Sequence, residues 1–312
     1  MTDEGAGFAP AEQGTPQGRR REVRQGAARL AVFEYGREPG PGVPSLVLIH
    51  GYPDDHQVFL PVIAELAGTH HLIAYDTRNA GESRVDTEDG AGYSLAALVD
   101  DAFAVLAAAG VGTVHLVGHD WGSIQGWAVV RDPRAAGVIG RYTSISGPDM
   151  GHFSRWIKAR IGRPREWGKL GGQLLRSWYL MGFQLPVLPE VAWRLVLTRR
   201  FEQAAHRPLG DNPIRGLALY RSNLFGRGDR TGRPPGATRR VHIPVQVVVP
   251  RRDAYLSPHL TEDLDGWIDD LTVVRVDGGH WWPASRPAEF ARLLRGGGPC
   301  KAPPSPSTTP VS

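Results

Sequence analysis

The stretch Val117-Gly118-His119-Asp120-Trp121-Gly122-Ser123 follows an apolar run and precedes a helical pattern. A strand, a Gly-x-Asp-x-Gly turn and a helix form the arrangement called a nucleophile elbow, which usually displays a serine. Gly118 and Gly122 are the small residues that such a sharp turn needs. Here the displayed residue is Asp120. A carboxylate cannot form an ordinary acyl-enzyme from an ester, but it can attack an electrophilic sp3 carbon, such as that of an epoxide or an alkyl halide.

Composition and charge are those of a globular protein, with 41% hydrophobic and 22% charged residues in a chain of 312. The length allows one α/β domain with a large insertion, or two small domains. No apolar stretch reaches the length of a membrane span, and the polar N-terminus lacks the apolar core of a signal peptide. Cys300 is the only cysteine, so an internal disulfide is excluded and we expect a cytoplasmic protein. The basic run Arg19-Arg20-Arg21 has no aromatic or amphipathic pattern beside it, so we expect no nucleic-acid partner.

Short apolar runs alternate with helical patterns along the chain. Ser45–Ile49 and His71–Tyr75 are typical of buried parallel strands. Leu95–Ala109 is an apolar helix, with Ser94 as its N-cap and Gly110 as its stop. This alternation predicts an α/β fold with a mostly parallel sheet and helices on both faces. Further strands are predicted at residues 29–35, 114–117, 139–145, 245–249 and 271–276, and a closing helix at residues 287–294.

The pattern changes between residues 149 and 240, which are helical in character and hold four of the nine tryptophans. We interpret this segment as a helical cap inserted into an α/β core formed by residues 28–148 and 241–295. The remaining residues, 1–27 and 296–312, are predicted to be disordered tails from their composition.

The loop after the strand at residues 45–49 faces the elbow in such folds and supplies one backbone N–H of an oxyanion hole. The residue after the nucleophile supplies the other N–H. We therefore assign the oxyanion hole to Tyr52 and Trp121. We expect His50, which begins this loop, to brace it rather than to act as a catalytic base.

A carboxylate and a histidine follow two later strands. Asp253 comes after the strand at residues 245–249, and His280 comes after two glycines and the strand at 271–276. Ligands of such sheets bind at the carboxyl ends of the strands. The chain order nucleophile, acid, histidine is also the order expected on this fold. The sequence therefore predicts Asp120 as the nucleophile, His280 as the base and Asp253 as the acid that orients it, with His119 facing away from the pocket.

Three motifs resemble those of the epoxide hydrolases with an α/β-hydrolase fold. They are His-Gly-Tyr-Pro-Asp at 50–54, Tyr-Asp-x-Arg-x-x-Gly-x-Ser at 75–83 and Gly-His-Asp-Trp-Gly at 118–122, together with Asp253 and His280. The resemblance covers residues 28–295. One departure is Asn79, where the family commonly has glycine; asparagine tolerates a positive φ better than most residues.

The resemblance implies a cap that carries two tyrosines, whose hydroxyls hydrogen-bond the epoxide oxygen. A Tyr-x-x-x-Phe-Gln-x-Pro pattern puts the first at Tyr179, and a tyrosine before a basic residue puts the second at Tyr220. We expect Phe183 and Trp281 to line the substrate pocket. The implied ligands are a small hydrophobic epoxide and water.

The resemblance is strongest to the hydrolase half of bacterial proteins in which a short-chain dehydrogenase follows. After Leu294 this chain has only a tail without a Gly-x-x-x-Gly-x-Gly cofactor loop. We therefore expect no nicotinamide cofactor. The oligomeric state stays open at this point.

Two other functions compete with epoxide hydrolysis. A haloalkane dehalogenase would share Asp120, Trp121, Asp253 and His280, but typically has asparagine at the place of Tyr52 and needs no cap tyrosines. A non-enzymatic ligand-binding or interaction protein on the same fold would show a broken triad, and this triad is complete in the sequence. A serine esterase is disfavoured because the sequence has no Gly-x-Ser-x-Gly elbow.

Overall fold

The computed structural model describes residues 16–86, 90–205, 207–224 and 239–296. Within these ranges the chain forms one nine-stranded sheet. The strands are β1 (Arg19–Gln25), β2 (Ala28–Gly36), β3 (Ser45–Ile49), β4 (His71–Tyr75), β5 (Arg84–Val85), β6 (Val114–His119), β7 (Ile139–Ile145), β8 (Val241–Pro250) and β9 (Ile268–Val276). Their order is β1-β2-β4-β3-β6-β7-β8-β9, with β5 beside β2.

The sheet is parallel from β4 through β3, β6, β7 and β8 to β9. Only β1, β2 and β5 pair in the antiparallel sense within the described chain. The predicted mostly parallel α/β sheet is therefore confirmed. The predicted bounds of β3, β4 and β7 agree with the structure, whereas β8 and β9 begin a few residues earlier than predicted.

Helices cover both faces of the sheet. They are α1 (Leu60–Leu66), α2 (Leu95–Ala109), α3 (Trp121–Arg131), α4 (Met150–Ile161), α5 (Trp167–Arg176), α6 (Tyr179–Gly182), α7 (Leu188–Ala192), α8 (Thr198–Ala205), α9 (Asn212–Arg215), α10 (Leu217–Asn223), α11 (Trp282–Ser285) and α12 (Pro287–Arg295). Alternate residues of β3 enter two hydrophobic clusters: Val47 and Ile49 pack with α2 and α3, and Leu46 and Leu48 with α1 and α12. Both faces of the central strand are thus buried, as its continuous apolar run predicts.

Helix α2 has the predicted ends. The Ser94 hydroxyl accepts a hydrogen bond from the Ala97 N–H over 3.2 Å, and Gly110 closes the helix in the left-handed conformation at φ 63°. A side-chain acceptor at the N-cap and a glycine at the stop are the two features that define helix ends locally. This is why the sequence alone sets both bounds.

The cap consists of helices α4 to α10, which lie between β7 and β8. A π-helical turn at Trp193–Leu197 joins α7 to α8. Trp156 and Trp193 are fully buried in this segment. Trp193 belongs to the same hydrophobic cluster as Val47 and Ile49, so the cap packs onto the core beside the sheet. Among the described residues, none of the helices combines the length and the apolar character needed to cross a membrane.

The predicted disordered tail at residues 1–27 is wrong for Arg19–Gln25, which form the edge strand β1 paired with β2. Only Val23 of this strand is buried, so no apolar alternation marks it in the sequence. The strand is held by charge: Glu34 on β2 forms ion pairs with Arg19 and Arg21, each at 2.7 Å. Charged side chains are a common means of protecting a sheet edge. Residues 1–15, 297–312 and Cys300 lie outside the described chain.

Candidate active site

The loop between β6 and α3 holds Asp120 in a backbone conformation rare for a non-glycine residue, with φ 52° and ψ −120°. Two glycines allow the turn. A Cβ on Gly122 would lie 2.0 Å from the Ile49 carbonyl oxygen, and one on Gly118 would lie 2.4 Å from the Gly122 carbonyl oxygen. Because no side chain fits at either position, the elbow needs glycine at both. Asp120 is displayed at the carboxyl end of the parallel strands, where the sequence predicts it.

One carboxylate oxygen of Asp120 is held by backbone N–H groups. The Tyr52 N–H donates to Asp120 Oδ1 over 2.7 Å, and the N–H groups of Tyr52 and Trp121 both favour the ionised carboxylate. The loop reaches this position through a cis Tyr52–Pro53 bond and through Gly51, where a Cβ would lie 2.4 Å from Asp120. The two predicted oxyanion-hole residues therefore both bring a backbone N–H to the Asp120 carboxylate.

The second carboxylate oxygen of Asp120 faces His280. The distance from His280 Nε2 to Asp120 Oδ2 is 3.6 Å, and His280 Nδ1 lies 3.0 Å from Asp253 Oδ2. Asp253 is itself fixed, because its Oδ1 accepts hydrogen bonds from the N–H groups of Tyr255 and Leu256 at 2.8 and 3.2 Å. The structure thus brings Asp120, His280 and Asp253 together, with His280 between the two carboxylates, although they are far apart in sequence.

The charges of these three groups are strongly perturbed. Burial raises the pKa of Asp120 to about 6, against the opposing effects of His280 and of the two N–H donors. Burial lowers the pKa of His280, but the carboxylates of Asp253 and Asp120 outweigh it and raise that pKa to about 9. Burial likewise opposes the ionisation of Asp253, yet His280 and the Tyr255 N–H keep the pKa of Asp253 below its usual value. Near neutral pH the arrangement is therefore a histidinium between two carboxylates.

Two other histidines support these loops, as the sequence predicts. His50 Nδ1 bonds to the Gly51 carbonyl over 2.9 Å, and its Nε2 accepts from the Thr77 N–H over 2.9 Å. His119 is fully buried, and its Nε2 bonds to the His280 carbonyl over 2.9 Å. Neither His50 nor His119 lines the active-site cavity.

The cap covers Asp120 with a cavity of about 590 Å³. Tyr179 at the start of α6 and Tyr220 in α10 both line it, together with Asp120 and His280. Their rings lie 6.2 Å apart, and the Tyr220 ring meets the Trp121 ring edge-on at 5.2 Å. Burial raises the pKa of both phenols well above the usual value, so both stay protonated donors. The predicted pocket residues Phe183 and Trp281 line the same cavity.

Three residues near the site were not predicted from the sequence. Tyr255 lines the cavity, and its ring centroid is 4.9 Å from that of His280. Asp54 accepts a hydrogen bond from Trp281 Nε1 over 2.9 Å and forms an ion pair with Arg207 at 2.5 Å. Arg207, in the cap, thereby holds the loop beside the oxyanion hole. Asp54 belongs to a recognisable motif, but no local pattern marks a partner about 150 residues away.

Comparison with known proteins places residues 44–286 in the family described as the alpha/beta hydrolase fold. The chain is 31% identical over 300 residues to a Mycobacterium tuberculosis protein named probable oxidoreductase EphD, covering 88% of this chain and 49% of that protein. The chain therefore spans about half the length of that relative. It is 23% identical over 283 residues to epoxide hydrolase 3 of Xenopus tropicalis, covering 81% of this chain and 70% of that one.

Solved structures show the same architecture. A structure described under novel epoxide hydrolases in metagenomes from hot environments superposes with a TM-score of 0.71 at 23% identity, covering 89% of this chain and 97% of that chain. An epoxide hydrolase mutant from Bacillus megaterium, complexed with its diol product, gives a TM-score of 0.70 at 19% identity, covering 88% and 99%. The sheet order, the elbow and the matched family model lead to one conclusion: this chain belongs to the α/β-hydrolase fold family.

Proposed function

We propose that this protein is an epoxide hydrolase, which converts an epoxide to a vicinal diol through a covalent ester on Asp120. The observation that carries the proposal is the shared cavity, in which two protonated phenols, Tyr179 and Tyr220, lie over a carboxylate on the elbow. A nucleophile on one side and two hydrogen-bond donors on the other suit the opening of a strained ring that leaves an alkoxide.

In the first step Asp120 Oδ2 attacks an epoxide carbon and the ring C–O bond breaks. The Tyr52 N–H already holds Oδ1, so Oδ2 is the oxygen that remains available. Tyr179 and Tyr220 donate hydrogen bonds to the departing epoxide oxygen. One of the two phenols transfers its proton to this oxygen, which becomes the first hydroxyl, and the proton carried by His280 then passes through solvent to restore the phenol. The product is a hydroxyalkyl ester of Asp120.

In the second step water attacks the ester carbonyl carbon, and the diol leaves with the former Oδ2. Ester formation removes the negative charge of Asp120, one of the causes that raise the pKa of His280. His280 has by then given up its proton, so the neutral ring takes a proton from the attacking water and passes it to the departing diol oxygen, while Asp253 keeps the ring oriented. The proton left on the Asp120 carboxyl group then returns to His280, which restores the starting state. The N–H groups of Tyr52 and Trp121 stabilise the oxyanion that develops on Oδ1.

Haloalkane dehalogenation is the mechanistic neighbour, because its first step uses the same aspartate. A halide leaves without a proton, so two phenols in the cavity would have no task. The names of the epoxide hydrolase relatives and of the similar solved structures also favour epoxide hydrolysis. The tyrosines are therefore the feature that favours epoxide chemistry.

A paired substrate panel tests the proposal. Purified protein is given aromatic, short aliphatic and fatty-acid epoxides, and 1-haloalkanes of matched chain length. We expect diol from at least one epoxide class and no halide release. Halide release that exceeds diol formation would replace this function with dehalogenation.

A further inference from the structure

Exposed apolar side chains are concentrated on one part of the cap. Among the described residues, every large hydrophobic side chain that is more than 40% exposed lies between residues 161 and 196. Leu195 is 74% exposed and Trp178 is 73% exposed, in a protein whose other apolar residues are largely covered. Exposed apolar side chains concentrated in one segment in this way mark an interaction site. The set is Ile161, Trp167, Leu174, Leu175, Trp178, Met181, Leu185, Val187, Leu188, Val191, Leu195 and Val196.

The same part of the cap is strongly cationic. Residues 158–200 contain nine basic and two acidic residues, whereas the rest of the chain contains 27 basic and 30 acidic residues. Both acids are already neutralised, because Glu166 pairs with Lys169 at 3.1 Å and Glu190 pairs with Arg221 at 2.7 Å. Six exposed basic side chains form no ion pair within the described chain: Lys158, Arg163, Arg165, Arg194, Arg199 and Arg200.

The apolar surface is continuous with the mouth of the active-site cavity. Leu175, Trp178 and Leu188 are exposed and also line the cavity that contains Asp120. Arg176 and Arg200 line it as well, so basic groups border the same opening. The exposed apolar surface and the lining of the cavity therefore share residues.

We propose that this cap face docks onto an anionic lipid membrane. Exposed tryptophans and aliphatic side chains among basic residues are what an interfacial binding surface requires, since the apolar groups enter the bilayer boundary and the cations meet lipid phosphates. A second copy of the chain is disfavoured as the occupant, because a two-fold contact would oppose two cationic patches of the same sign.

Docking also defines a substrate class. If the mouth of the cavity faces the bilayer, an epoxide on a lipid acyl chain reaches Asp120 without crossing water. This consequence rests on the proposed function, whereas the docking itself does not.

Vesicle co-sedimentation of the full chain tests the docking without any catalytic step. We expect binding to phosphatidylglycerol vesicles that weakens with salt, and much weaker binding to phosphatidylcholine vesicles. The triple variant Arg163→Glu, Arg165→Glu, Arg194→Glu should bind at least ~100-fold more weakly, at roughly fivefold per basic residue removed. The matched control Arg24→Glu, Arg37→Glu, Arg292→Glu changes the net charge equally at exposed sites outside the cap and should retain binding.

An apolar variant separates lipid insertion from charge alone. Leu174→Ser, Met181→Ser, Leu195→Ser alters exposed residues that do not line the cavity, and it should also lose vesicle binding while circular dichroism stays unchanged. Equal binding to both lipids, equal loss in the control variant, or absence of binding would overturn the proposal. So would light scattering that shows a wild-type dimer which this variant turns into monomers, because a second copy would then cover the patch.

Discussion

The loops at the sheet edge and the cap above them build one cavity in different ways. On the sheet side, Asp120, Asp253 and His280 follow strands whose register is fixed, and each is held by backbone or side-chain hydrogen bonds. On the cap side, Tyr179 and Tyr220 belong to two separate short helices, of four and seven residues. The difference suggests that the sheet edge carries the bond-making groups, whereas the cap decides which leaving group and which substrate are served.

The sharpest test of the sheet side is removal of the nucleophile. Asp120→Ala removes the oxygen that forms the ester, so diol formation should fall by about 10⁴-fold or more. Diol is measured by chromatography with an epoxide that the wild type hydrolyses. Asp270→Ala, at an exposed position of β9, is the matched control and should keep wild-type activity. Substantial activity in Asp120→Ala would mean that water attacks the epoxide directly.

Removing the base should stop turnover but leave the first step intact. His280→Gln keeps the nucleophile and the cap tyrosines, so the ester should form and then persist because water is no longer activated. Intact-protein mass spectrometry should show an adduct of the mass of one epoxide. Normal turnover without an adduct would show that His280 has been given the wrong role.

The cap side is tested by its phenols. Tyr179→Phe and Tyr220→Phe should each slow epoxide opening, and the double variant should lose ~10²- to 10⁴-fold, the usual range for a positioned acid. Circular dichroism checks that the double variant is folded. Tyr255→Phe removes a third phenol from the same cavity and should change the rate little. A double variant that opens epoxides at the wild-type rate would show that the cap tyrosines take no part in epoxide opening.

The pH dependence of ester formation links the two sides of the triad. Asp120 attacks only when ionised, so this rate should fall about tenfold per pH unit below the pKa of about 6. The charge of His280 lowers the pKa of Asp120, so in His280→Gln the acid limb should move to higher pH. Stopped-flow tryptophan fluorescence in single turnovers measures the rate of ester formation against pH in the wild type and in His280→Gln. An acid limb at the same pH in both proteins would show that the charge of His280 does not affect the pKa of Asp120.

The sequence predicts the sheet side of the site better than the cap side. The ends of α2 are set by local chemistry, since Ser94 and Gly110 act on their own chain neighbours. The elbow is marked by the glycines that its sharp turn requires, and these stand beside Asp120 in the sequence. The cap tyrosines have no such local mark and were predicted only through a family resemblance. The strand β1 was missed because its partners, above all Glu34, are supplied by tertiary pairing rather than by apolar alternation.

The site residues that the sequence analysis missed depend on long-range contacts. The ion pairs of Arg207 with Asp54 and Asp55 join residues about 150 positions apart. Tyr255 reaches the cavity because Asp253 anchors its N–H, a contact that requires the loop to be folded. Neither arrangement has a spacing or composition that a single sequence reveals.

Isotope transfer in a single turnover tests the covalent role of Asp120 most directly. Enzyme in excess over epoxide is mixed in oxygen-18 water, and the first diol and the peptide that contains Asp120 are both analysed by mass spectrometry. Because the new diol oxygen comes from the carboxylate and water then restores it, the label should appear in the peptide and not in the diol. Oxygen-18 in the first diol, with an unlabelled peptide, would contradict covalent catalysis.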